Sequence, residues 1–230
     1  MPRRPRCFLP GVPLHIVQRG NNRQPCFATD GDRAAYVNWL AEGAAEYGLA
    51  VHAWVLMTNH VHLLATPGYE DSASKTMQYL GRYYVRHFNY RYDRTGTLFE
   101  GRFKANPVQS QQYLLNCCRY IELNPVRAGM VRNPADHRWS SYAAHAFGQQ
   151  VAMWSPHEEY LALGQHGKER QARYRALFFT ELNQVFVDDV RASTRTGFAL
   201  GSDIFRSQVT ELSGQPQQPK KRGPRIITAA

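Results

Sequence analysis

Cysteine is scarce in this chain, acidic residues are outnumbered by basic ones, and no apolar run is long enough to cross a bilayer. The four cysteines, Cys7, Cys26, Cys117 and Cys118, show no Cys-x-x-Cys spacing, which argues against a disulfide framework or a cysteine-built zinc site. Near the amino end, positive charge is followed by Pro10 and Pro13 rather than by a sustained apolar stretch. A secretory signal and a membrane span are therefore not expected, and cytoplasmic residence is. No Gly-x-x-x-x-Gly-Lys loop is present, so no nucleotide cofactor is expected either. Internal repeats are lacking.

The chain does have clustered positive charge. Its 28 lysines and arginines against 18 acidic residues leave a net charge of +10 over 230 residues. Arg3, Arg4 and Arg6 lie in the first six positions and Lys220, Lys221, Arg222 and Arg225 near the end, so the two ends hold seven of the ten excess charges. A further basic stretch runs from Lys75 to Lys104 and includes Arg102. Clustering of this kind suits a polyanion, because each phosphate neutralised releases condensed counterion. An ordinary solvated charged face is the competing reading for the middle stretch.

Periodicity predicts a βαββαβα order. Leu14 to Arg19 reads as a strand, and a helix capped by Asp30 or Asp32 runs to about Tyr47, ended by Gly48. Leu49 to Met57 is a nearly continuous apolar strand buried on both faces. His60 to Thr66 is the third strand and Ser72 to Tyr92 a long helix. Arg102 to Val108 is a strand that Pro107 confines to an edge. A final helix runs from Ser110 until Pro125 stops it. This is the order of an α+β, ferredoxin-like split βαβ fold, an antiparallel sheet with helices on one side, followed by a helical C-terminal extension. Within that extension, Ser155-Pro156-His157-Glu158 reads as a helix start, and Glu169 to Phe179 and Ser202 to Leu212 as helices. The boundaries expected are a basic N-terminal arm over 1–12, a main domain over 13–131, the extension over 132–213 and a basic, unfolded tail over 214–230.

Two features carry chemistry. His60 and His62 are two apart on a strand and so point to one face, where both imidazoles can converge on one ion. On the last helix, Leu114, Cys118 and Ile121 form an apolar stripe while Asn116, Tyr120 and Asn124 stack on the opposite side. Taken singly, Tyr120 reads as a packed core-edge residue and His15 as a satisfied structural histidine, with general base as the rarer alternative.

Four segments together resemble the REP-associated tyrosine transposases, members of the single-tyrosine HUH endonuclease branch with an IS200-like domain. They are Gly11 to Arg23, Leu56 to Leu64 with its His60-Val61-His62 centre, Arg94 to Lys104, and Arg119 to Gly129 with Tyr120 and Asn124. The resemblance spans about residues 11 to 180. It implies the same ferredoxin-like fold and a metal-dependent endonuclease and strand transferase acting on single-stranded or hairpin DNA. Tyr120 would be the nucleophile, forming a 5′-phosphotyrosine. His60, His62 and Asn124 would hold Mg²⁺ or Mn²⁺, with Asn124 acting directly or through water. Arg19, Asn21 and Arg23 in the loop after the first strand, Arg102 and Lys104, and the tail residues Lys220, Lys221, Arg222 and Arg225 are the DNA-contact candidates. Monomer and homodimer both stay open. Two other readings use the same residues: a DNA-binding regulator that does not cleave, and a zinc hydrolase, which lacks a third ligand at a convincing spacing.

Overall fold

Strands β1 (Leu14–Arg19), β2 (Leu49–Leu56), β3 (His60–Pro67) and β4 (Lys104–Pro107) and helices α1 (Asp30–Tyr47) and α2 (Ser72–Arg91) follow the expected order in the computed structural model, which describes residues 5–218. The strands pair antiparallel in the order β2-β3-β1-β4, which is the split βαβ layout. The His60-His62 strand is thus central, and β4, closed by Pro107, is an edge where a missing N–H costs no ladder bond.

Helix α1 is capped one residue before Asp30, the earlier of the two acids expected to cap it. Thr29 is the cap: its hydroxyl accepts from Asp32 N (3.3 Å) while Asp32 Oδ2 accepts from Thr29 N (2.8 Å), a reciprocal capping box. Gly48 ends the helix with φ 65°, a left-handed conformation that glycine adopts without steric cost and that turns the chain directly into β2.

Alternation along the strands splits the core in two. Leu14, Ile16, Trp54, Leu56, Val61, Leu63 and Ala65 pack with Tyr36, Leu40, Leu80 and Tyr84 of α1 and α2. Ala53, Val55, Met57 and Leu64 face the other way, onto Leu114, Cys118 and Ile121 of α3 (Gln111–Glu122). Helices α1 and α2 lie on one side as expected, but α3 and the extension cover the second face, so the helices are not confined to one side, and this cover explains the continuous apolar run in β2. His60 and His62 alternate with Val61 and Leu63 and so belong to that second face.

Pro125 does not end helical structure as expected. Leu123 closes α3, and the chain resumes as a short α4 (Asn124–Arg127) with Pro125 in its first turn, where a proline removes no needed N–H. The extension continues with α5 (Tyr142–Phe147), α6 (Glu158–Leu161), α7 (Gly167–Ala176), α8 (Gln184–Thr196) and α9 (Asp203–Ser213). His157, not Ser155, caps α6, its Nδ1 accepting from Glu159 N at 3.1 Å. Helix α8 is an addition to the sequence reading. The tail residues Lys220, Lys221, Arg222 and Arg225 lie outside the described residues, among which no helix is long and apolar enough to cross a membrane.

Candidate active site

The pairing of β3 with β1 sets His60 opposite Arg19 and His62 opposite Val17. The two imidazoles lie with ring centroids 5.1 Å apart and planes at 73°. Packing of α3 on the same face brings the Tyr120 ring to 6.1 Å from His62 and 6.0 Å from His15. The histidine pair and the tyrosine, separate in the sequence, therefore share one corner of the sheet.

Tyr120 is only 7% exposed, so its surroundings decide whether it is core or site. The Arg127 guanidinium sits 4.1 Å over its ring and donates from Nη2 to the Tyr120 carbonyl at 2.8 Å. Arg191 of α8, itself largely exposed, is near enough to the hydroxyl to act on its charge. Burial raises the phenol above its ordinary range, and Arg127 and Arg191 oppose that rise by favouring phenolate.

The histidines are held as neutral bases. Burial lowers His15 and His60 to about 4 and His62 well below its usual range, with Arg19 adding to the effect at His60 and neighbouring histidines at His62. His60 Nδ1 is 2.7 Å from Asn59 Oδ1, and the Asn59 amide nitrogen is engaged with the Arg23 carbonyl at 2.9 Å, so His60 Nδ1 donates and its Nε2 carries a free lone pair. His62 Nδ1 is occupied by His15 Nε2 at 2.8 Å. His15 is fully buried, and its other nitrogen meets Thr194 Oγ1 at 3.3 Å. With both nitrogens engaged, His15 is not available to take a proton from Tyr120; it stands behind His62 as a support.

Two neutral imidazoles with free Nε2 atoms fit a divalent cation that draws its remaining ligands from water and phosphate oxygens. A closed zinc set fits less well, because no group of three or more His, Cys, Asp or Glu side chains gathers among the described residues. The Asn124 amide nitrogen donates to the Tyr120 and Ile121 carbonyls at 3.0 and 3.3 Å. It ties down the end of α3 and leaves Oδ1 unengaged by these bonds. Asn116, the other amide on that stripe, pairs instead with Arg119 at 3.1 Å.

Beside the histidines, on the β1 and β4 side, a cavity of about 440 Å³ is lined by Arg6, Arg19, Arg102, Lys104 and Arg195 with Glu100 as the opposing charge. Arg19, Arg102 and Lys104 were expected to contact DNA, and the fold brings them together. Arg6 and Arg195 join them from the arm and from α8. None of the five cations is ion-paired within 4.0 Å among the described residues. Asn21 and Arg23 lie in the 3-10 turn after β1, where Arg23 supports Asn59 and so adjoins His60. The turn needs Gly20, since a Cβ there would fall 2.1 Å from the Gln24 carbonyl oxygen.

Arg127, Arg191 and Thr194 are site residues that the sequence reading missed. The last two ride on α8, whose signals were present: Asn183 as cap, Val187 and Val190 one turn apart, and Gly197 after the end.

Over residues 10–124, half of its length, the chain matches the family model described as transposase IS200-like. The chain belongs to the IS200-like transposases. Among solved structures, this transposase is similar to a REP-associated tyrosine transposase bound to a REP hairpin, with a TM-score of 0.54 and 19% identity over 68% of this chain and 93% of that one. A protein of Deinococcus radiodurans R1 assigned to the transposases aligns with a TM-score of 0.37 and 17% identity over 52% of this chain and 95% of that one, too loosely to bear on the fold. A comparison with curated proteins finds no match. The family covers the sheet, the histidine pair, Tyr120 and Asn124, and leaves α8 outside.

Proposed function

We propose that this transposase cleaves and rejoins single-stranded DNA at hairpin repeats of the REP type, with Tyr120 as nucleophile and Mg²⁺ or Mn²⁺ held by His60 and His62. Asn124 is the further donor, directly or through water. The observation that carries the reading is that two neutral imidazoles with free nitrogens and a phenol flanked by two arginines occupy one corner of the sheet. The fold likeness to a transposase bound to a REP hairpin supports the choice of substrate, as does a cavity lined by five cations beside that corner.

A phosphodiester resists attack because its charged oxygens repel a nucleophile, and a bound divalent cation supplies charge neutralisation at a nonbridging oxygen. Arg127 and Arg191 favour the phenolate, whose proton passes to solvent. The Tyr120 oxygen bonds to phosphorus as the bond to the 3′ oxygen breaks; that oxygen takes up a proton and leaves as a 3′ hydroxyl. The phosphoryl group stays on Tyr120, and a later 3′ hydroxyl displaces it to reseal a strand. One phosphoester replaces another, so no nucleotide cofactor is needed. The strand lies along Arg19, Asn21, Arg23, Arg102 and Lys104, with Lys220, Lys221, Arg222 and Arg225 as added phosphate contacts. In this reading residues 13–131 form the catalytic unit, 132–213 its helical extension, and the protein works in the cytoplasm, as a monomer or a homodimer.

The test is incubation with labelled hairpin DNA carrying single-stranded flanks and Mn²⁺, followed by denaturing electrophoresis. A covalent protein–DNA adduct is expected for the unmodified chain and none for Tyr120→Phe. Cleavage that persists in Tyr120→Phe overturns the assignment in favour of attack by water, and binding without cleavage favours a silent regulator.

A further inference from the structure

We propose that Thr194, on a helix outside the stretch that matches the transposase family, dictates through His15 which nitrogen of His62 is free, and so sets how well the histidine pair holds a cation. The proposal rests on the reading of His60 and His62 as cation ligands.

It follows from counting protons. A neutral imidazole has one N–H and one lone pair, and a threonine hydroxyl has a single hydrogen to give. Thr194 Oγ1 lies 2.8 Å from the Val190 carbonyl oxygen, one helical turn back. That oxygen can only accept, so the hydroxyl hydrogen goes to it. Thr194 Oγ1 is then left to accept from His15 Nδ1 at 3.3 Å, the longer of its two contacts. His15 therefore carries its hydrogen on Nδ1 and presents a lone pair at Nε2. The atom 2.8 Å from that lone pair is His62 Nδ1, which must be the donor. His62 Nε2 is bare as a result, and no hydrogen bond engages it among the described residues.

Reversing the order would place a hydrogen on His62 Nε2, where it would block a cation. Burial makes the order consequential. His15 is 0% and His62 6% exposed, so solvent offers little substitute for a lost partner in the chain. The rings of His15 and His62 are nearly parallel, with planes 13° apart and centroids 5.1 Å apart, an arrangement compatible with an in-line N–H to N bond. His60 needs no such relay, because its neighbour Asn59 sets it locally. The pair is thus oriented from two sources, one adjacent in sequence and one on α8. Hydrogen-bond partners behind metal-binding histidines commonly affect metal affinity by roughly 10–100-fold.

The experiment is two-bond ¹H–¹⁵N correlation of the histidine rings in metal-free protein, paired with Mn²⁺ titration by calorimetry. For the unmodified chain, His62 should carry its proton on Nδ1. In Thr194→Val, which keeps the side-chain shape but removes the oxygen, the Nε2-protonated form should appear and the Mn²⁺ dissociation constant should rise about tenfold. Thr194→Ser should restore both. Unchanged tautomer and affinity in Thr194→Val overturn the proposal. If the valine variant does not fold, the unmodified spectrum decides: a proton on His62 Nε2 overturns the relay, one on Nδ1 supports it. A tautomer change in a protein that takes up no Mn²⁺ supports the relay and sinks the cation reading instead.

Discussion

Tyr120 and Glu122 stand two residues apart on α3, each in a buried polar cluster built from histidine and hydroxyl groups, and the two clusters differ in what they leave unbonded. Around Glu122, which is fully buried, Oε1 accepts from Ser141 at 2.5 Å and His145 Nδ1 at 2.7 Å, while Oε2 accepts from Tyr174 at 2.7 Å. The donors come from the start and body of α5 and from α7, so this closed set bolts the extension to the tyrosine helix. Around Tyr120, the His60 and His62 rings each keep a nitrogen unengaged among the described residues, and the neighbouring cavity gathers five cations against the single carboxylate of Glu100. A buried carboxylate with both oxygens satisfied holds a fold together; a histidine pair with lone pairs left over beside a cationic cavity leaves room for a ligand. The same helix thus carries a joint on one side and a site on the other.

Exchanging the consequences of mutation between the clusters would break this contrast. Tyr120→Phe should abolish the DNA adduct completely while changing unfolding free energy by less than about 1 kcal/mol, as read from urea midpoints. Glu122→Ala should do the reverse. It strips three buried donors of their acceptor and should cost about 3–5 kcal/mol, yet Mn²⁺ binding per folded molecule should survive at low temperature. A Glu122→Ala variant as stable as the unmodified chain would remove Glu122 from its role as a joint.

The open cluster also has a pH signature. His15 and His60 have folded-state values of about 4, below the ordinary histidine value of about 6.5, as does His52, lowered to about 4 chiefly by burial. As pH falls, the unfolded chain therefore takes up protons first, and stability present above about pH 6.5 should drain away progressively toward pH 4. Denaturant midpoints of metal-free protein across that window check the sign; a midpoint that rises on acidification would contradict neutral burial of these rings. The smallest effect sharpens the cationic side. Arg102→Ala, Lys104→Ala and Arg195→Ala should each lower the slope of log affinity against log salt for single-stranded DNA by about 1, whereas Lys168→Ala on α7 should leave it alone.

Much of this arrangement was legible in the residues because it is local. Strand alternation puts His60 and His62 on one face whatever packs there, Gly48 ends α1 because the chain needs a left-handed residue, and Pro107 keeps β4 at the edge. The alternation of β2 was illegible in detail because a register shift between Val51 and Ala53 interrupts it. His52 there is engaged with the Ser155 carbonyl and the Thr66 hydroxyl. Helix α8 carried ordinary helix signals but nothing that tied Arg191 or Thr194 to residues far earlier in the chain.

From its sequence alone this transposase has its strand and helix order, its antiparallel sheet, the shared face of its histidine pair and a tyrosine on the polar side of a helix, since each depends on the periods of 2 and 3.6 and on capping chemistry within a few residues. Tertiary structure alone decided that α3 lies on the histidine face, that Arg127 and Arg191 flank the phenol, and that His15 is occupied on both nitrogens. Those are matters of which hydrogen goes to which lone pair across long stretches of chain, and no local period encodes them.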